Sequence, residues 1–273
     1  MVAILSYPFM QRAVAAGVVL AAVLAWLGVF VIMKKMSFFS DGIAHASLAG
    51  IAVGVLASIH PLSIAIIFSV VFSLLIYVLE RKTPLSSDAI IGMLFTSGMS
   101  IGVVLMSFQR GYQPDLVTFL FGNILAVKTA DLTLICTLSV VIAAFLLYNY
   151  RNMVLLALDI DTAYLAGVRV NALQVCFYII LAVSVVLGLK ILGIVLVSAL
   201  LIIPPSIAKL VSRSFKGLIA WSVLFSESIV VAGITLSYYL DSPTGPVIVL
   251  VGTAAFFGVF GFRQLTALGK NRE

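Results

Sequence analysis

Two residues set the chemistry that this sequence could do. Asp41 and His45 stand four positions apart in Met36-Ser-Phe-Phe-Ser-Asp-Gly-Ile-Ala-His-Ala-Ser-Leu-Ala-Gly50, in a chain that otherwise avoids charge. On a helix, that spacing puts both side chains on one face, one turn apart. A carboxylate and an imidazole so placed suit one divalent metal ion. Glycine, alanine and serine around them let other backbone come close. The alternative is a helix-capping Asp41 and a packed interfacial His45, and the spacing alone leaves both open.

Three further stretches carry polar groups where they are costly. Asn149 to about Asn171 is the longest polar insert, and within it Leu158-Asp-Ile-Asp-Thr-Ala-Tyr-Leu-Ala-Gly167 alternates acids with small and apolar residues. Acids at its start suit a helix N-terminus and Gly167 suits its stop. That predicts a short amphipathic cytoplasmic helix, either docking into a partner's groove or lying on the membrane surface. Pro204-Pro205 falls inside an apolar run, where it should kink or end a helix, as a gate or hinge or as a plain terminus near Lys209. Glu227 is an acid within another apolar run, flanked by Ser226 and Ser228. It either faces a pathway or pairs with a basic side chain from another helix. His60, before Pro61 at a span's end, reads as a loop residue.

The elements that must position these groups are membrane helices. Of 273 residues, 63% are hydrophobic and 10% charged, and the mean hydropathy is +1.26. The apolar runs are long and continuous, without a β-barrel's alternation, so the chain reads as a polytopic all-α membrane protein in one domain, 1–273. The first span is expected at about Ala13 to Met33, after a surface segment. The next three are expected at about Ile43 to Ile59, Leu62 to Leu79 and Ala89 to Phe108. Leu116 to Val127 is only long enough for a half-helix or re-entrant piece. Leu132 to Tyr148 is the fifth span. A sixth ends at about Leu189, and Ile191 to Leu210, Leu218 to Tyr238 and a last span ending at Arg263 follow. That makes about nine crossings, or eight if the 43–79 region breaks differently.

The formal charge of +6 comes in short basic clusters between these runs, so it reads as topology and not as a nucleic-acid surface. Lys34-Lys35, Arg81-Lys82, Arg151 with Arg169, the Lys209–Lys216 cluster and the C-terminal basic residues alternate onto one side, the cytoplasm. Cys136 and Cys176 lie within apolar runs and suit neither a zinc cluster nor a structural disulfide. No P-loop lysine motif is present, so the chain carries no ATPase of its own.

At this point five motifs fall into a known order. Lys35-Met-Ser-Phe-Phe-Ser-Asp-Gly-Ile-Ala-His-Ala-Ser-Leu-Ala-Gly-Ile-Ala-Val-Gly54 resembles the signature of metal-type ABC importer permeases. So do Phe119-Leu-Phe-Gly-Asn-Ile-Leu-Ala-Val127, Asp161-Thr-Ala-Tyr-Leu-Ala-Gly167, Leu200-Leu-Ile-Ile-Pro-Pro205 and Asp241-Ser-Pro-Thr-Gly-Pro246. The resemblance spans nearly the whole chain.

It implies a type II ABC importer permease bundle in a prokaryotic cell membrane, forming a homodimer on two cytoplasmic ABC ATPase subunits. The permease is not itself an enzyme; ATP is hydrolysed on the partner. Metal would arrive from an extracytoplasmic solute-binding protein. It implies Asp41 and His45 as the intramembrane metal site. The coupling helix to the ATPase falls on Asp159, Asp161, Ala163 and Gly167. Pro204, Pro205 and Glu227 stay candidate gate or pathway positions on the residues alone. Zn2+ leads as the transported ion and Mn2+ follows. One departure is Ser40, where a glycine usually precedes the motif's aspartate. Two alternatives share parts of this picture. A vitamin or iron-chelate permease predicts a wide polar cavity and gives no reason for a paired Asp and His. A metal-dependent intramembrane enzyme needs about three protein ligands and a general base, and the chain has two histidines.

Overall fold

The computed structural model describes residues 7–108, 122 and 127–270. The chain is all-α there. Its helices are α1 (Pro8–Met33), α2 (Phe39–Leu56), α3 (Pro61–Lys82), α4 (Ser87–Ser107), α5 (Thr129–Tyr148), α6 (Tyr150–Leu158), α7 (Ile160–Leu165), α8 (Val170–Val211), α9 (Phe215–Leu240) and α10 (Thr244–Lys270). Eight of these are long and apolar enough to cross a bilayer, all but the short α6 and α7. This is a multi-pass membrane protein. Val71 on α3, Val104 on α4, Val140 on α5 and Phe257 on α10 stay exposed, as apolar surface facing lipid should.

Three expectations shift. The first helix begins at Pro8, not Ala13, because proline suits the first helical turn, whose amide has no intrahelical acceptor. The expected sixth and seventh spans are both present, as the two helical halves of the 42-residue stretch α8, but they meet at a kink at Gly193, so that Lys190 lies in the first half and not between them. The residue that breaks α8 is Gly193, at φ 79° and ψ 165°, a conformation open in practice only to glycine. Pro204-Pro205 keep helical geometry instead of kinking the chain. Proline at 205 removes the amide that would have bonded the Leu201 carbonyl. Gly28 of α1 packs there so closely that a Cβ would stand 2.1 Å from that oxygen. The close helix contact shields the released carbonyl and lets α8 continue. The half-helix expected at Leu116–Val127 lies, apart from Gly122 and Val127, outside the described residues.

The chain divides into two compact units. One draws on 1–32, 123–143 and 195–273. There α9 is tied to α1 by Ser222, which donates to the Ala25 carbonyl at 3.0 Å, and Ser226, which donates to Ala21 at 3.0 Å. Such bonds contribute roughly 0.6–2 kcal/mol each in a membrane, so close packing carries most of the cohesion.

The other unit draws on 33–122 and 144–194. Its centre is α2, which packs on both α3 and α4. The α2 sequence is rich in glycine and alanine, so both neighbours approach at backbone distance. A Cβ on Gly50 would lie 2.8 Å from Ala65 Cα of α3, and one on Gly98 of α4 would lie 3.1 Å from Ala46 Cα.

Candidate metal site and coupling face

Asp41 and His45 are both on α2, Asp41 in its first turn. The predicted helix is therefore present, with the pair one turn apart on it. Phe38 is the cap position of α2, and its side chain makes no capping bond. Both side chains line one cavity of about 440 Å³, together with Phe38, Asp88, Ile91, Gly92 and Phe95. The His45 ring meets the Phe95 ring edge to face, with centroids 4.5 Å apart. That contact fixes the imidazole plane. His45 Nδ1 is buried and has no hydrogen-bond partner among the described residues. A buried ring nitrogen without a partner costs stability unless something outside the chain engages it. Ser40, the departure from the family pattern, is a buried helical residue directly before Asp41.

Asp88 is the site residue that sequence reasoning missed. It lies in the first turn of α4, after the capping Ser86, where an acid reads as an ordinary response to the helix dipole. Only the packing of α4 on α2 brings it to the same cavity. The signal was the acid's position at a helix start whose own apolar residues, Ile90 and Ile91, are buried. Among the described residues no three histidine, cysteine, aspartate or glutamate side chains sit close enough to hold one ion together. One chain thus offers a partial site: one carboxylate and one imidazole, with a second carboxylate across the cavity. Cys136 and Cys176 are both free. His60 is exposed at the start of α3, with Nδ1 3.5 Å from Ser63 Oγ.

The polar insert folds as two helices, α6 and α7. Asp159 caps α7: its carboxylate accepts from the Thr162 amide at 2.9 Å and from the Thr162 hydroxyl at 2.5 Å. These two bonds hold the Asp159 carboxyl below the usual carboxylate range. The helix ends before Gly167, which takes φ +77°. Asp161 is exposed, and Ala163 is fully buried within the chain. The outward apolar surface is Leu158, 64% exposed, and Leu165, 90% exposed. Leu158 closes α6 and Leu165 closes α7, and leucines so exposed suit a docking face.

Glu227 is half-buried on α9 and has no hydrogen-bond or ion-pair partner among the described residues. Its flanking serines bond elsewhere, Ser226 to Ala21 and Ser228 to the Leu224 carbonyl.

A wider similarity joins this geometry to known proteins. The profile of the ABC 3 transport family matches residues 6–263. The high-affinity zinc uptake system membrane protein ZnuB of Haemophilus influenzae is 28% identical over 240 residues, 88% of this chain and 92% of that protein. The manganese transport system membrane protein MntC of Halalkalibacterium halodurans is 30% identical over 259 residues, 95% of this chain and 89% of that one. A solved structure of PsaBC from Streptococcus pneumoniae in complex with Fab superposes with a TM-score of 0.82 at 27% identity, covering 95% of each chain. On the extent of these matches, this chain belongs to the ABC 3 transport family.

Proposed function

We propose that this chain is the membrane-spanning subunit of an ATP-driven importer of divalent transition metal ions, zinc first and manganese second. The observation that carries this reading is one cavity faced by Asp41, His45 and Asp88, with a buried His45 nitrogen that has no hydrogen-bond partner among the described residues. The relatives named for zinc and manganese uptake support the same class of cargo.

The ion enters from an extracytoplasmic binding protein and sheds part of its water. Asp41 and His45 take it as ligands, with a second copy of the chain supplying the rest of the shell. Imidazole favours zinc, while the carboxylates keep manganese acceptable. A site of two ligands per chain holds an ion briefly, and a transport site must release what it binds. Both helix starts that carry the site, α2 and α4, follow basic cytoplasmic clusters, so the ion leaves on that side. Two cytoplasmic ATPase subunits drive the change by docking on the end of α6 and on α7, with Leu158, Asp161 and Leu165 as the outward residues. The whole works as a multi-pass homodimer in the prokaryotic inner membrane, and the polypeptide itself catalyses no reaction.

The test is reconstitution in liposomes with its ATPase and binding protein, measuring ATP-dependent uptake of radioactive zinc and manganese. Asp41→Ala and His45→Ala should each reduce uptake by about a hundredfold, as expected for loss of a ligand from a sparse shell. Normal uptake by both variants would remove the pair from the pathway.

A further inference from the structure

We infer that Arg81, Glu80 and Tyr178 form the mechanical link through which movement of α7 reaches Asp41 and His45. This rests on the reading of the chain as an ATP-driven importer and adds the route inside the chain. At one end, the Arg81 guanidinium gathers three elements. It donates to the Tyr77 hydroxyl at 2.8 Å, to the Tyr164 hydroxyl of α7 at 3.4 Å, and to the Asn171 side-chain oxygen at the start of α8. The Tyr164 hydroxyl in turn donates to Asn171 at 2.8 Å. A planar fork with several donors can hold three partners at once, which a lysine ammonium would do less rigidly.

The next residue of α3 carries the contact inward. Glu80 accepts a hydrogen bond from the Tyr178 hydroxyl. Tyr178 is fully buried, and its oxygen lies 3.4 Å from Met36 Sδ. Its ring meets Phe39 edge to face with centroids 5.6 Å apart, and Tyr77 at 5.9 Å. Phe39 is the first residue of α2 and is fully buried, and Asp41 stands in the same turn. From Tyr164 to Asp41 every step is therefore a direct contact or a shared helical turn. Close-packed side chains of this kind transmit displacement instead of absorbing it. Beside the link lies a cavity of about 500 Å³, walled by Lys34, Glu80, Arg81, Asp159, Tyr164 and Tyr178. It gives α7 room to move toward α3 without overpacking.

Contiguity alone is only a geometric warrant, so the test must measure coupling. The reconstituted complex is assayed for metal imported per ATP hydrolysed. Tyr178→Phe and Arg81→Ala should each lower that ratio about tenfold, within the usual range of coupling energies, while ATP hydrolysis continues. The double variant should be no worse than the worse single one, because both cut the same link. Glu80→Gln keeps an acceptor for Tyr178 and should retain the wild-type ratio, whereas Glu80→Leu should lose it. That pair also decides the matter if the Arg81 variant fails to assemble. A wild-type complex that imports no metal, or an Asp41→Ala variant that imports normally, sinks the importer reading and the link with it. If wild type imports and Asp41→Ala does not, the link alone is overturned by unchanged ratios in Tyr178→Phe and Arg81→Ala, by independent losses that multiply, or by equal behaviour of Glu80→Gln and Glu80→Leu.

Discussion

The polar groups around the α2–α4 cavity are held in different ways, and this sets what each can do. His45 is pinned by the Phe95 ring and buried at Nδ1. Asp88 is exposed, at the start of its helix. A rigid ligand and an open carboxylate on one cavity suit a hand-over, with the ion held at the pair and drawn off past Asp88. Asp88→Ala should therefore slow uptake about tenfold, a loss similar to that of other supporting metal contacts. Asp88→Glu should recover most of it, in the same liposome assay. Were Asp88 merely complementing the helix dipole, its removal would cost about 0.3–1 kcal/mol of stability and leave uptake alone. The Asp41–His45 pair was legible in the sequence because both residues share one helix, where spacing alone fixes geometry. Asp88 was not, because its place depends on how α4 packs against α2.

Among the elements, α8 departs from what its prolines suggest. Two adjacent prolines point to a kink, yet the break falls at Gly193. Proline's effect depends on whether a neighbour occupies the space beside the released carbonyl, and Gly28 does so. At Gly193 the cause is local: φ 79° with ψ 165° strains any residue with a Cβ. Gly193→Ala should destabilise the chain by about 1–3 kcal/mol. Thermal unfolding in detergent would show it as a lowered midpoint, while Gly258→Ala, where an added Cβ meets nothing, should leave the midpoint unchanged. The helix α7, by contrast, was readable in advance. Its capping Asp159 and terminal Gly167 act within a few residues of one another, so no distant contact was needed to place them. What tertiary packing changed was the face: it buries Ala163 and leaves Leu165 outward.

For the whole molecule, the proposed role of Asp41 and His45 as two ligands per chain has a consequence in stoichiometry. If two copies complete one shell, the purified complex with its ATPase should bind one zinc ion per two permease chains at saturation. Metal analysis after equilibrium dialysis measures this directly, and one ion per chain would show that each copy builds its own site. Composition alone determined that this is an all-helical membrane protein. Hydropathy and the cost of unpaired backbone in lipid leave few other solutions for such a chain. Residue spacing determined the Asp41–His45 pair and the limits of α7, since both are set within single turns of helix. Only the tertiary structure decided that Asp88 joins the site, that Gly193 and not Pro204-Pro205 breaks α8, and that Tyr178 stands between Glu80 and Phe39. Those facts arise from side chains far apart in sequence meeting at close-packed helix faces, and one-dimensional periodicity carries no information about which faces meet.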